Sequence, residues 1–219
     1  ENSFNCQNLS HVAAEILYIT ANALSSQHIY KFSNFYLNLS KYLNKDFYAF
    51  DALLAENFYN IENFKEARRI YNVIGKKGKA FLWYAAKQNS KILIKENKKE
   101  KALTLLTNAF EKLPKKGIYE IFDYAEFLKN NEQYEKAIKL YTEMIIEIKD
   151  NHPLYPDITD GRGIAYERTK QWEKAEIDFL NSLSVEPESA YVINYLAYSW
   201  IEQGKNIEKS LEMLKKANR

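Results

Sequence analysis

The chain has 219 residues, 46% of them hydrophobic and 27% charged, with a net charge of +2. Six glycines and four prolines supply too few turn-formers for a β-rich fold of this length, so the composition predicts a nearly all-helical protein. One cysteine, Cys6, excludes an internal disulfide and a cysteine-based metal cluster within the chain, and no run of about 18 apolar residues offers a membrane span.

The opening stretch ENSFNCQNLS has no helical period and is expected to be an irregular lead-in. A start at Glu1 rather than Met fits an excised fragment of a longer protein or a mature form whose signal has been removed. That leaves the compartment open between the cytoplasm and the periplasm or envelope.

Six helical pairs follow, recognised by one recurring spacing. HIYKFSNFYLNLSKYL carries Ser33, Leu37 and Ser40; YNIENFKEARRIYNVI carries Ala67 and Tyr71 after Phe64. KENKKEKALTLLTNAFEKLP carries Ala102, Leu106 and Ala109 before Pro114, and KNNEQYEKAIKLYTEM carries Ala137 and Tyr141 after Tyr134. GIAYERTKQWEKAEIDFLNSLSVEP sets Gly163 and Ala175 twelve residues apart, then Phe179, Ser182 and Pro187. QGKNIEKSLEMLKKA closes the series with Ser210, Leu214 and Ala217.

The small residues Ser33, Ala67, Ala102, Ala137, Ala175 and Ser210 are separated by 34, 35, 35, 38 and 35 residues. A near-constant period of this size marks stacked helix–turn–helix units, in which small residues let two antiparallel helices approach closely. First helices are expected near 11–25, 47–60, 79–95, 118–130, 155–169 and 189–203. Second helices are expected near 28–43, 63–75, 98–112, 133–149, 172–184 and 206–218. The 38-residue interval holds the one long connection expected, KDNHPLYPD over 149–157.

The pattern resembles the tetratricopeptide repeat (TPR) family over nearly the whole chain, and Gly163, Tyr166, Ala175, Phe179 and Pro187 carry it best. The run from Gly163 to Asn206 is similar to the C-terminal part of bacterial TPR proteins. The resemblance implies an all-α, right-handed α-α superhelix forming a single solenoid domain. Its repeats would lie near 11–45, 47–78, 79–115, 118–150, 154–187 and 189–218. It further implies a non-enzymatic interaction scaffold whose first helices line a concave groove for a partner peptide or helix.

Read in repeat phase, the inward positions are Tyr18, Asn22, Glu56, Tyr59, Tyr84, Lys87, Lys91, Lys95, Phe122, Glu126 and Lys129. Asp160, Ile164, Glu167, Tyr191, Asn194 and Tyr198 continue the series. The partner-binding candidates among them are Asn22, Tyr59, Tyr84, Lys87, Lys91, Lys95, Phe122, Glu126, Asn194 and Tyr198. Lys87, Lys91 and Lys95 project from one side of one helix. Like charges at that spacing cost about 0.2–0.5 kcal/mol per pair in an isolated helix, which a charged ligand or acidic neighbours would offset. Some TPR domains hold a chaperone tail with a carboxylate clamp of lysines and asparagines. Tyr18 before Asn22, and Glu56 in the second repeat, break that pattern, and that partner is excluded.

Charge is segregated along the chain. Residues 1–64 carry a net −3, residues 65–116 a net +11 and residues 117–219 a net −6. The basic middle favours an acidic protein partner. It also raises nucleic-acid binding as a competing reading, weakened by acidic flanks that cancel the excess over the whole chain. A substrate-recruiting module of a larger envelope-associated protein is a further reading. So is self-association through the last helix, where apolar Leu211 and Leu214 are left uncapped.

No catalytic constellation emerges. His11, His28 and His152 form no metal-binding spacing, and GRG at 161–163 lacks the pattern of a phosphate loop. The NLS tripeptides at 8–10 and 38–40 match a glycosylation sequon only as short chance motifs do. No cofactor, metal or enzymatic activity is expected.

Overall fold

A computed structural model describes residues 6–47 and 49–217. Among them are twelve helices: α1 (Leu9–Ser26), α2 (Tyr30–Leu43), α3 (Ala49–Asn60), α4 (Phe64–Gly75), α5 (Lys79–Lys95) and α6 (Lys99–Glu111), then α7 (Ile118–Asn130), α8 (Tyr134–Glu147), α9 (Tyr155–Arg168), α10 (Trp172–Val185), α11 (Ala190–Glu202) and α12 (Ile207–Ala217). No strand occurs among the described residues. They divide into two compact units, Glu1–Leu113 and Pro114–Arg219.

Within each unit the helices pack in chain order, each against the next. The odd helices also touch one another, α1 with α3 in the first unit and α7 with α9 and α9 with α11 in the second. Each unit is therefore two layers of helices, one odd and one even.

The periodic small residues form the seams. Ser33, Ala67, Ala102, Ala137, Ala175 and Ser210 are all at 0% exposure. Twelve or thirteen residues before each, on the preceding odd helix, stands a second buried small residue: Ala21, Ala55, Ser90, Ala125, Gly163 and Ala197. Where serine fills a slot, a hydroxyl without an acceptor is costly; Ser210 Oγ bears that cost, being buried without a hydrogen-bond partner, whereas two others are satisfied. Ser33 Oγ donates to the Ala21 carbonyl at 2.8 Å, and Ser90 Oγ to the Ala102 carbonyl at 3.3 Å. The residue four after each small one fills the adjoining space: Leu37, Tyr71, Leu106, Tyr141 and Phe179 are no more than 2% exposed.

Two glycines of α9 are seam residues rather than loop residues. A Cβ on Gly161 would lie 2.8 Å from the Tyr141 ring, and one on Gly163 would lie 2.8 Å from the Phe179 ring. Both are closer than side-chain carbons approach.

Polar contacts add specificity at two places. In the first unit, fully buried Asn57 donates to Ser33 Oγ and Asn34 Oδ1, both at 2.8 Å, and accepts from Ser25 Oγ at 2.6 Å. In the second, Arg162 of α9 donates to both oxygens of Asp178 on α10, at 2.7 and 2.8 Å, and to Thr142 Oγ1 on α8 at 3.1 Å.

The turns inside the pairs share one conformation. His28, Glu62, Asn97, Glu132 and Lys170 all have φ between 59° and 64°, the left-handed region. Each stands five residues before its small seam residue. The amide after each bonds back across the helix end, as in Asn63 N to Phe58 O at 2.8 Å and Gln171 N to Tyr166 O at 2.8 Å. This is the Schellman closure of a helix, usually built on glycine. Only the sixth turn has one, Gly204 at φ 67°. Non-glycine residues in this region are held at a cost of roughly 1–2 kcal/mol each. Glu62→Gly and Lys170→Gly are therefore expected to stabilise the protein by about 0.5–1 kcal/mol each, whereas Asn97→Gly should gain less, since asparagine tolerates the conformation. Urea midpoints of the three variants test this; a loss of stability in the first two would refute it.

The helices sit within two residues of the expected spans. The lead-in is shorter than expected, because Asn8 caps α1 by accepting from Ser10 N at 3.0 Å and His11 N at 3.4 Å. The long connection is shorter too. Pro156 lies in the first turn of α9, where its missing N–H costs nothing, so 155–157 are helical. On α12, Ser210 is buried while Ile207 and Leu211 are about half exposed; the side chain of Ala217 lies outside the described residues.

Candidate functional site

The odd-helix face of the second unit carries a trough formed by α7, α9 and α11. One cavity of about 360 Å³ is lined by Lys129, Asn130, Glu132, Tyr134, Ile164, Arg168, Tyr191 and Tyr195. A neighbouring cavity of about 410 Å³ is lined by Glu167, Arg168, Tyr191, Asn194, Tyr195, Tyr198 and Glu202. Arg168, Tyr191 and Tyr195 belong to both, so the two adjoin.

The aromatic wall is held from beneath. Phe179 of α10 is fully buried, and Tyr195 stacks on it with ring centroids 6.0 Å apart. Tyr191 meets Tyr195 edge to face at 4.9 Å, with the two hydroxyls 3.5 Å apart. Burial and that hydroxyl contact raise the Tyr191 phenol well above its ordinary value, so it stays a neutral donor. Tyr191 and Tyr198 are nevertheless 54% and 60% exposed, and their amphipathic rings suit them to receiving another surface.

The residues that line the trough have acidic neighbours on α7 and α9. Lys129 is buried and donates to both oxygens of Glu126, at 2.8 and 3.0 Å, and Glu126 also accepts from Tyr141 at 2.5 Å. Asp160, one turn before Ile164, has an enclosed Oδ1 without a hydrogen-bond partner. Burial raises its carboxyl to about 7; Lys129 opposes that, while Glu126, Asp157 and Glu186 add to it. Glu167 Oε2 is likewise enclosed and accepts no hydrogen bond, although Arg168 Nε pairs with it at 3.4 Å; burial raises that carboxyl, opposed by Arg168 and helped by Glu202.

The expected partner-binding residues fall into three groups. Asn194 and Tyr198 lie in this trough. Glu126 and Phe122 stand half-buried on α7, with the Glu126 carboxylate engaged inside the unit. In the first unit, Asn22, Lys91 and Lys95 are exposed and Lys87 is half-buried. Tyr59 and Tyr84 pack against the core there, Tyr59 beside Phe64 at 5.8 Å and Tyr84 beside Tyr71 at 6.0 Å. Part of the basic middle segment is already neutralised: Arg68 and Lys98 share Glu96, at 3.0 and 2.8 Å, and Arg69 pairs with Glu66 at 2.8 Å.

The histidines have local roles. His28 holds a turn and contacts the Tyr30 hydroxyl at 2.7 Å, and His152 Nδ1 accepts from Leu154 N at 3.1 Å. Among the described residues no group of three potential metal ligands occurs, and no helix is long and apolar enough to cross a membrane. Cys6 is exposed.

No family model matches the chain, and no curated protein matches it. Solved structures do. The C-terminal part of a TPR repeat-containing protein from Cytophaga hutchinsonii aligns at a TM-score of 0.63 and 16% identity, over 91% of this chain and 78% of that one. MamA, from MSR-1, aligns at a TM-score of 0.56 and 18% identity, over 78% of this chain and 94% of its own. YrrB, described as a TPR protein with an unusual peptide-binding site, aligns at a TM-score of 0.52 and 17% identity, over 81% of this chain and 88% of its own. With twelve paired helices on the repeat spacing and these alignments, the chain has the tetratricopeptide-repeat fold.

Proposed function

We propose that this protein is a non-enzymatic scaffold that binds an extended peptide or a helix of a protein partner in the trough over α7, α9 and α11. The observation that carries the reading is the pair of tyrosines, Tyr191 and Tyr198, more than half exposed on one helix and lining one cavity. A preformed aromatic wall lowers the ordering cost of binding, and tyrosine is enriched where interfaces carry most of their energy. Peptide binding by YrrB, which shares the fold, supports the same reading.

In the first unit, exposed Lys91 and Lys95 on α5 suit an acidic segment of a protein partner. Nucleic-acid binding is the weaker reading, because acidic neighbours already pair with Arg68, Arg69 and Lys98.

Selection of a phage-displayed dodecapeptide library on the full 219-residue chain tests the trough. Enrichment of peptides that no longer bind Tyr191→Ala or Asn194→Ala protein is the expected result. No enrichment, or enrichment that both substitutions leave unchanged, would overturn the proposal.

A further inference from the structure

The cavity between α9 and α11 has a chemistry of its own. Three tyrosines of α11, Tyr191, Tyr195 and Tyr198, line it together with two carboxylates, Glu167 and Glu202, one cation, Arg168, and Asn194. Its volume of about 410 Å³ is at the lower end of the roughly 300–1,000 Å³ range of ligand sites, enough for one long side chain and its flanking backbone.

The carboxylates decide the sign of the guest. Glu167 Oε2 is enclosed and accepts no hydrogen bond, although buried acceptors are almost always satisfied. Its nearest cation is Arg168, whose Nε lies 3.4 Å away and whose side chain is 49% exposed, so that charge is largely spent in solvent. Glu202 is exposed and close enough to oppose ionisation of Glu167. An anionic guest would meet two negative groups and one arginine already engaged. A cationic guest would add a hydrogen bond to the loose ion pair that Glu167 Oε2 makes with Arg168, and would come between the two carboxylates. It would also lie over tyrosine faces, where cations are favoured. The surrounding unit agrees in sign, since residues 117–219 carry a net −6.

A planar guanidinium fits better than an ammonium, because it can donate to a carboxylate along its edge while stacking on a ring. We propose that this cavity is a recognition pocket for an arginine side chain of the partner peptide. The inference rests on the peptide-binding reading above and adds the identity of one anchoring residue.

Three acetylated and amidated dodecapeptides, identical in a Gly/Ala/Ser background except for a central Arg, Ala or Glu, provide the probes. Their binding to the full chain is followed by chemical-shift titration. The Arg peptide should bind at least tenfold more tightly than the Ala peptide, and the Glu peptide no better than the Ala peptide. Glu202→Gln and Tyr198→Ala remove exposed side chains, so thermal midpoints should hold while Arg-peptide affinity falls about five- to thirtyfold. Equal affinity for Arg and Ala, a preference for Glu, or an Arg preference that survives both substitutions would overturn the inference. If the library selection enriches peptides without a common arginine, this inference fails and the peptide-binding reading stands; if nothing is enriched, that reading fails as well.

Discussion

Arg162→Met is expected to cost about 3–5 kcal/mol of stability, the usual penalty for stranding one member of a buried ion pair. Asp178 is 1% exposed, and the Arg162 guanidinium is bonded to both of its oxygens. Burial pushes the Asp178 carboxyl above its ordinary value even with the guanidinium in place. Removing the guanidinium leaves the raising effect unopposed. An acid whose folded pKa lies above its unfolded value loses stability as pH rises between the two. The defect should therefore be largest at neutral pH and shrink as the solution is acidified towards pH 4. The double variant Arg162→Met/Asp178→Leu should recover most of the loss, since a well-packed apolar pair can replace a buried ion pair at little cost. Urea midpoints at pH 7 and pH 4.5 distinguish these outcomes. A single variant as stable as the parent at pH 7 would show that the pair carries no structural weight.

Gly163→Ala should also destabilise, by about 1–3 kcal/mol, and here the sign is informative. In the middle of an exposed helix the same change stabilises by about 0.5–1 kcal/mol, because glycine has more backbone freedom to lose. At this seam the new methyl would sit 2.8 and 2.9 Å from the Phe179 ring and 3.3 Å from Asp178 Cβ. Phe179 cannot retreat, being fully buried with Tyr195 stacked upon it. Overpacking then outweighs the entropy gain. Gly163→Ala/Phe179→Leu should be more stable than the sum of its single changes, because the two sites share one space. Thermal midpoints of the four proteins check both points; a stabilised single variant would mean that α9 and α10 can separate without penalty.

Most of the architecture is legible in the residues because close helix packing leaves a mark. A slot with no room for a side chain admits only Gly, Ala or Ser, and that restriction recurs whenever the pair recurs. The partner slots on the odd helices, such as Ala21 and Ala125, are written as plainly once both helices are known. Alone they are hidden among other alanines. The turns left no such mark, since five of the six turns inside the pairs hold His, Glu, Asn or Lys at the left-handed position where glycine would have announced them. GRG reads correctly as packing at its glycines. Its arginine pairs with Asp178, sixteen residues away on another helix, and nothing in the intervening sequence signals that pair.

The site was less legible for a different reason. Seventeen tyrosines share one chain, and repeat phase cannot tell which rings turn inward to a core and which remain open. Tyr59 and Tyr84 turned inward and Tyr198 did not. Arg168, Tyr195 and Glu202, which complete the trough, occupy positions whose role depends on the stagger between helices.

The left-handed turns have a practical consequence. Their backbone bonds are satisfied by the helix end itself, so the turn accepts a histidine, an acid, an amide or a base alike. Within each unit these positions amount to graduation marks, one per repeat, projecting from equivalent points. Paired spectroscopic labels introduced at two such marks of the first unit, Glu62 and Asn97, would read the advance from one repeat to the next without disturbing either the seams or the trough.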